Sequence, residues 1–147
     1  MKFEDLIKLK DFAISFESIF EPRIESSSLR IIVNGSADTT DLLITPHSLI
    51  TQYQINFPSY VTYSVIYDDY TIFNEKEIFK GESFRIYSKS DYFDFIQRQS
   101  PLEKLLPGET CIHYALCCIE HRLDIISSAK PFITEIKVNP EKENILM

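Results

Sequence analysis

The stretch that most constrains the fold is Tyr60–Tyr67, YVTYSVIY. Every residue in it is aromatic, β-branched or serine, the composition that fits a pleated, half-buried surface. Side chains alternate across a strand, so Tyr60, Thr62, Ser64 and Ile66 face one way and Val61, Tyr63, Val65 and Tyr67 the other. The second face is almost wholly apolar and is the expected core side. Asp68-Asp69 then reads as a turn, with Tyr70–Phe73 returning as a short hairpin partner and Asn74–Lys80 as a charged connection.

Other strands follow from the same patterning. Phe12–Phe16 alternates, Leu29–Val33 is compact and β-branched with Asn34-Gly35 as its closing turn, Ser83–Ser88 alternates, and Phe132–Val138 (FITEIKV) is the last. Helical signals are short. Lys2–Leu9 carries Phe3, Leu6 and Ile7 on one side, with Glu4 and Asp5 in its first turn, where carboxylates suit the helix dipole. Thr45-Pro46 resembles an N-cap followed by proline at the first helical position, so His47–Tyr53 reads as one or two helical turns, with strand as the alternative. Ser90 can cap a helix Asp91–Gln97 whose buried stripe is Tyr92, Phe93 and Ile96, and Ser100-Pro101-Leu102-Glu103 fits a capping box opening a further turn to Leu106.

A weak internal echo links Phe84–Pro101, FRIYSKSDYFDFIQRQSP, to Tyr114–Pro131, YALCCIEHRLDIISSAKP. Asp94 falls on Asp124, Ile96 on Ile126 and Pro101 on Pro131. The echo suggests a strand–helix unit written twice; chance or shared β-then-α patterning is the alternative. Thr110–Ser128 bears two readings. One is a long helix with Ile112, Leu116, Ile119, Leu123 and Ile126 at helical spacing. The favoured one is a strand, Cys111–Ile119, then a short helix, His121–Ser128, since Thr, Cys, Ile and Tyr suit a sheet better than a surface helix. Asn139–Met147 reads as a frayed tail.

At 147 residues, with 44% hydrophobic and 25% charged residues, the chain can bury a real core. The expectation is a single α+β domain over residues 1–147: a largely antiparallel or mixed β-sheet with short helices, and a possible strand–helix repeat at 84–101 and 114–131. The formal charge is −7 and is spread along the chain. Such a field works against nucleic acid and anionic membranes, which need clustered Lys and Arg, and it suits a basic protein partner. Three glycines leave no Gly-rich phosphate loop. No apolar run of signal-peptide or membrane-span length occurs, and three cysteines, two adjacent, make a poor disulfide framework. The expected setting is the reducing cytoplasm.

Two clusters bear on chemistry. Cys111, His113, Cys117, Cys118 and His121 invite zinc or a thiol nucleophile, but they lack the paired spacing of structural zinc sites, and Glu120 with the negative field opposes a thiolate. On a strand, Cys111 and His113 share a face about 7 Å apart, with Cys117 too far along to join them. Neither a catalytic residue, a metal site nor a cofactor is therefore assigned. The second cluster is acidic and aromatic: Tyr67, Asp68, Asp69, Tyr70, Glu75 and Glu77, with Phe73 and Glu82 nearby. Aromatic anchors ringed by carboxylates suit contact with a basic partner.

A small acidic α+β domain carrying FRIYSKSDYFDFI and HYALCCIEHRLDII resembles the immunity proteins of bacterial polymorphic-toxin systems, including those paired with LXG-type toxins. The resemblance covers mainly residues 60–131 and transfers no individual functional residue. It implies a non-enzymatic protein that binds and neutralises a toxin domain, often a basic nuclease. The competing expectation is a small-ligand, metal-binding or Cys/His-dependent enzymatic module.

Overall fold

The computed structural model describes residues 1–24, 27–43, 50–106, 108 and 110–138. Its elements are α1 (Phe3–Leu6), β1 (Ala13–Phe20), β2 (Leu29–Ser36), α2 (Thr39–Leu43), β3 (Ile50–Phe57), β4 (Tyr60–Tyr67), a 3-10 turn (Asp68–Tyr70), β5 (Ile78–Lys80), β6 (Phe84–Lys89), α3 (Asp91–Gln99), α4 (Leu102–Leu105), β7 (Ile112–Cys117), β8 (His121–Ser127) and β9 (Phe132–Val138). Two antiparallel sheets result, one ordered β1-β2-β3-β9 and the other β4-β8-β7-β6-β5. This is an α+β architecture, and among the described residues no helix is long and apolar enough to cross a membrane.

Alternation dictates how the sheets meet. Ile31, Val33, Tyr53, Ile55 and Phe57 of the first sheet and Phe84, Tyr114, Leu116, Leu123 and Ile125 of the second belong to one buried cluster. Edge-on ring contacts join the layers, Tyr53 to Phe84 at 5.5 Å and Phe57 to Tyr114 at 5.4 Å between centroids. Phe3 of α1 wedges into the same cluster against Phe84 and Tyr114. Edge-to-face packing of this kind contributes about 0.5–1.5 kcal/mol per pair beyond area burial.

The second sheet buries its other face too. Ile126, Ala115, Tyr87 and His113 are buried yet lie outside the main cluster. They sit on the face that receives α3, whose Tyr92 ring packs 5.4 Å from that of His113. Helix α3 starts where the sequence places it: Ser90, in extended conformation, accepts the Phe93 backbone N–H on its Oγ at 3.1 Å. Tyr92, Phe93 and Ile96 are its half-buried stripe.

Several local expectations are corrected. The strand–helix repeat does not exist, because 121–127 is strand β8 rather than a helix, and Cys118 N–H closes a tight turn onto the His121 carbonyl. Leu123 and Ile125 face the inter-sheet core while Asp124 and Ile126 face the α3 side. Burial on both faces removes the polar–apolar alternation that marks a strand. Asn34-Gly35 is not a turn but part of β2, where the missing Cβ leaves room for the Phe12 ring to lie against the strand. Thr39–Leu43 is helical, and residues 50–53 of the segment expected as helical turns belong to β3, the strand alternative; 44–49 and the tail 139–147 lie outside the described residues.

Tyr70–Phe73 does not return along β4. Strand β4 stays at the sheet edge, and the next strand, β5, pairs with β6 instead. A bulge at Val61 breaks the register of β4 on β8, and only Tyr60 and Tyr63 pack against the core; Val65 and Tyr67 face the core side but lie exposed at the edge. The capping box at Ser100 is absent: its hydroxyl donates back to the Ile96 carbonyl at 2.8 Å, and α4 begins after Pro101 without a side-chain cap.

Candidate functional site

Two regions hold the groups able to do chemistry or bind. The first is a polar network on the α3 side of the second sheet. Register places His113 of β7 beside Tyr87 of β6, and Asp124 of β8 two residues from His113's own partner, Ile126, on the same face. His113 Nε2 lies 2.7 Å from Asp124 Oδ1, and its Nδ1 lies 2.7 Å from Ser90 Oγ. A carboxylate only accepts, so Nε2 carries a proton and donates to Asp124. The Ser90 hydroxyl then donates to Nδ1 while its lone pairs accept the Phe93 N–H. Arg122 donates to Asp124 Oδ1 at 3.0 Å and to the Tyr87 hydroxyl at 2.8 Å, and Arg85 reaches the same hydroxyl at 3.2 Å. The Tyr87 ring stacks on His113 at 4.6 Å. Burial works against the Arg122 charge, but the Asp124 carboxylate together with Cys117 and Tyr87 outweighs it and holds the guanidinium above its ordinary pKa.

Ser90, His113 and Asp124 are the residue types of a hydrolytic triad, and the sequence reading did not single out Ser90 or Asp124 as a site. Their arrangement serves another end. Ser90 and His113 are each 2% exposed, and the Ser90 oxygen is committed to capping α3. A cleft of about 410 Å³ runs alongside, its lining including Ser90 and His113 with Phe93, Gln97, Thr110 and Cys111, but the first two are almost wholly buried at its wall. The network pins the N-terminus of α3 to three strands.

The sulfur–imidazole cluster is scattered. His113 and Cys117 lie on the outer face of β7, Cys118 is buried in the β7–β8 turn, and the His121 ring packs at a tilt between those of Tyr67 at 4.8 Å and Phe16 at 5.0 Å. Among the described residues, no group of three or more His, Cys, Asp or Glu could hold a metal ion. Burial pushes the Cys117 and Cys118 thiols up, the reverse of what a nucleophile needs.

The second region is the segment after β4. Tyr67, Asp68, Asp69, Tyr70 and Glu75 are all exposed there, as is Phe73 at 80%, and the structure adds Ile72 at 91% and Ile78 at 58% exposure. Short side chains fix its path. Thr71 Oγ1 donates to the Asp68 carbonyl at 2.7 Å, and Asn74 Nδ2 donates to Asp91 Oδ2 at 2.6 Å. Glu77 is half-buried, with Oε2 accepting the Asp91 backbone N–H at 2.9 Å, so it ties the segment to the start of α3. Ile72 went unnoticed in the sequence because nothing in the local pattern marks it as unpartnered.

Searches of protein-family models, of curated proteins and of solved structures found no match to this chain.

Proposed function

We propose that this protein is a binding module that grips a basic protein partner through the segment between β4 and β5, and that the partner is a toxin domain it neutralises, as the likeness to immunity proteins implies. One observation carries the reading. Tyr67, Tyr70, Ile72 and Phe73 stand exposed in one short stretch beside Asp68, Asp69 and Glu75, and that stretch is latched to α3 at Asn74 and Glu77. Large apolar side chains grouped on a surface mark interaction sites, and each contributes about 1.5–3 kcal/mol when fully buried. The carboxylates supply the steering that speeds encounter with a cationic surface. The enzymatic or metal-binding alternative has weaker support, since the buried thiols are poor nucleophiles and the Ser–His–Asp group is occupied in capping α3.

The test is affinity capture from the native host, followed by kinetics with the purified partner. Asp68→Lys with Asp69→Lys should slow association by roughly tenfold at low salt and flatten its salt dependence. Phe73→Ala should leave association nearly unchanged and raise the dissociation rate by about tenfold or more. A partner that is acidic, or rates indifferent to all three substitutions, removes this segment from the interface.

A further inference from the structure

Among the described residues four strands lie at sheet edges, and three of them carry features that discourage further pairing. β1 is broken by a bulge at Glu17, between Phe16 and Ser18; β5 is three residues long and bulged; β9 bears Glu135 and Lys137, paired at 3.0 Å. Charges, bulges and shortness are the usual protections of an edge. Strand β4 has eight residues, no charge and no proline, and its one bulge lies at its beginning, so Thr62–Tyr67 runs in unbroken register on β8. Its outward-pointing amides and carbonyls meet no other strand among the described residues. An edge of this kind is a template for an added strand.

We propose that the outer edge of β4 takes up an extended, Lys- or Arg-bearing segment of the partner as a sixth strand of the second sheet. The inference rests on the reading above for the partner's basic character and adds the mode of recognition. Charge decides between that occupant and a second copy of this chain. Glu21 accepts the Tyr60 hydroxyl at 2.5 Å at one end of β4, and Asp68 and Asp69 follow the other end. Two copies paired antiparallel would set Glu21 of each against the aspartates of the other; paired parallel, the aspartates would meet each other. Arg23, 3.4 Å from Glu21, offsets only part of this. A strand with cations near its ends meets carboxylates at both. Along its length, Thr62, Ser64 and Ile66 would flank it on one face and Tyr63, Val65 and Tyr67 on the other, and the run continues directly into Tyr70, Ile72 and Phe73.

The experiment uses the full chain and a synthetic probe, an alternating valine–lysine peptide of about eight residues, long enough to span β4. A peptide of the same composition interrupted by prolines is the control. Hydrogen exchange and binding are measured together. The expected result is binding of the alternating peptide only, with exchange of the β4 amides that β8 does not bond slowed by about tenfold or more. Failure of the peptide to bind, or binding that leaves those amides unprotected, overturns the strand-addition proposal. If binding without protection is still weakened by Asp68→Lys with Asp69→Lys, the acidic–aromatic surface stands while strand addition falls. Concentration-dependent protection of β4 without peptide, with a dimer in sedimentation, overturns it in favour of self-pairing.

Discussion

The two ends of the β4–α3 stretch solve opposite problems. At Ser90, every polar group brought out of water has a partner: His113 is held by Ser90 and Asp124, Asp124 by Arg122, and Arg122 by Tyr87. Among the described residues, no buried side-chain nitrogen or oxygen lacks a hydrogen bond. Earlier in the same stretch, Ile72 and Phe73 stand in water with little to bury against. One region spends polar side chains on holding a helix to a sheet; the other leaves apolar ones uncovered on a latched segment. The comparison assigns stability to the first and binding to the second.

The sharpest way to break that assignment is His113→Ala. It strips Ser90 and Asp124 of their shared partner and Tyr87 of its stacking ring, leaving a buried carboxylate with Arg122 alone. Leaving a buried polar group without a partner costs about 1–3 kcal/mol, and here Ser90 and Asp124 each lose a bond while the packing of the ring goes too, so urea unfolding should show a drop of several kcal/mol. A loss under about 1 kcal/mol would mean that the network is incidental to stability. Next in size is a matched pair of truncations. Ile126→Ala, at a fully buried position on the α3 side, should cost about 2–5 kcal/mol. Ile72→Ala, at a position 91% exposed, should change stability by no more than about 0.5 kcal/mol. Equal effects would erase the distinction between the regions.

That distinction was only half legible in the sequence. Tyr60–Tyr67 and Phe132–Val138 announce themselves through composition and alternation, and Ser90 through its position before an amphipathic run. The sequence-equivalent runs 84–101 and 114–131 share a first strand and then part, one into α3 and the other into β8. What separates them is burial. Asp91–Gln99 has a polar side that water can take, whereas Asp124 and Ile126 lie beneath a helix that no local window reveals. For the same reason Asp124 reads as the polar face of a helix until α3 and His113 are brought over it. The acidic and aromatic character of 67–77 was visible in the residue string, but its exposure depended on β4 ending at a sheet edge and on β5 pairing elsewhere.

Alkaline pH extends the buried side of the comparison to the inter-sheet core, at intermediate strength. Burial raises the pKa of Tyr53 and of Tyr114 to about 12, from an ordinary value of 10.0. Each is protonated in the folded chain where the unfolded chain would already have ionised. Their stabilising contribution is therefore intact below pH 10 and is lost as pH rises towards 12. Stability measured by urea across that interval should fall, and Tyr114→Phe, which cannot ionise, should fall less steeply. An unchanged slope would show that this phenol does not drive the alkaline loss.

The smallest effect sharpens the comparison most finely, because it acts on the latch between the two regions. Asn74→Ala removes the 2.6 Å bond to Asp91 Oδ2 but leaves Glu77 on the Asp91 N–H and Ser90 on the Phe93 N–H. An exposed hydrogen bond of this kind contributes about 1 kcal/mol or less to global stability, so the unfolding midpoint should hardly move. Local opening is another matter. The segment buries few apolar side chains, and its conformation depends on short-range bonds, the condition under which part of a protein opens on its own. Amides of residues 71–76 should exchange several-fold faster in the variant, while those of α3 keep their protection. Partner binding should weaken modestly through the cost of re-ordering a loosened segment, with little change in electrostatic steering because no charge is altered. If α3 loosens together with 71–76, the two regions are one cooperative unit, and the division between a stabilising half and a binding half fails at its boundary.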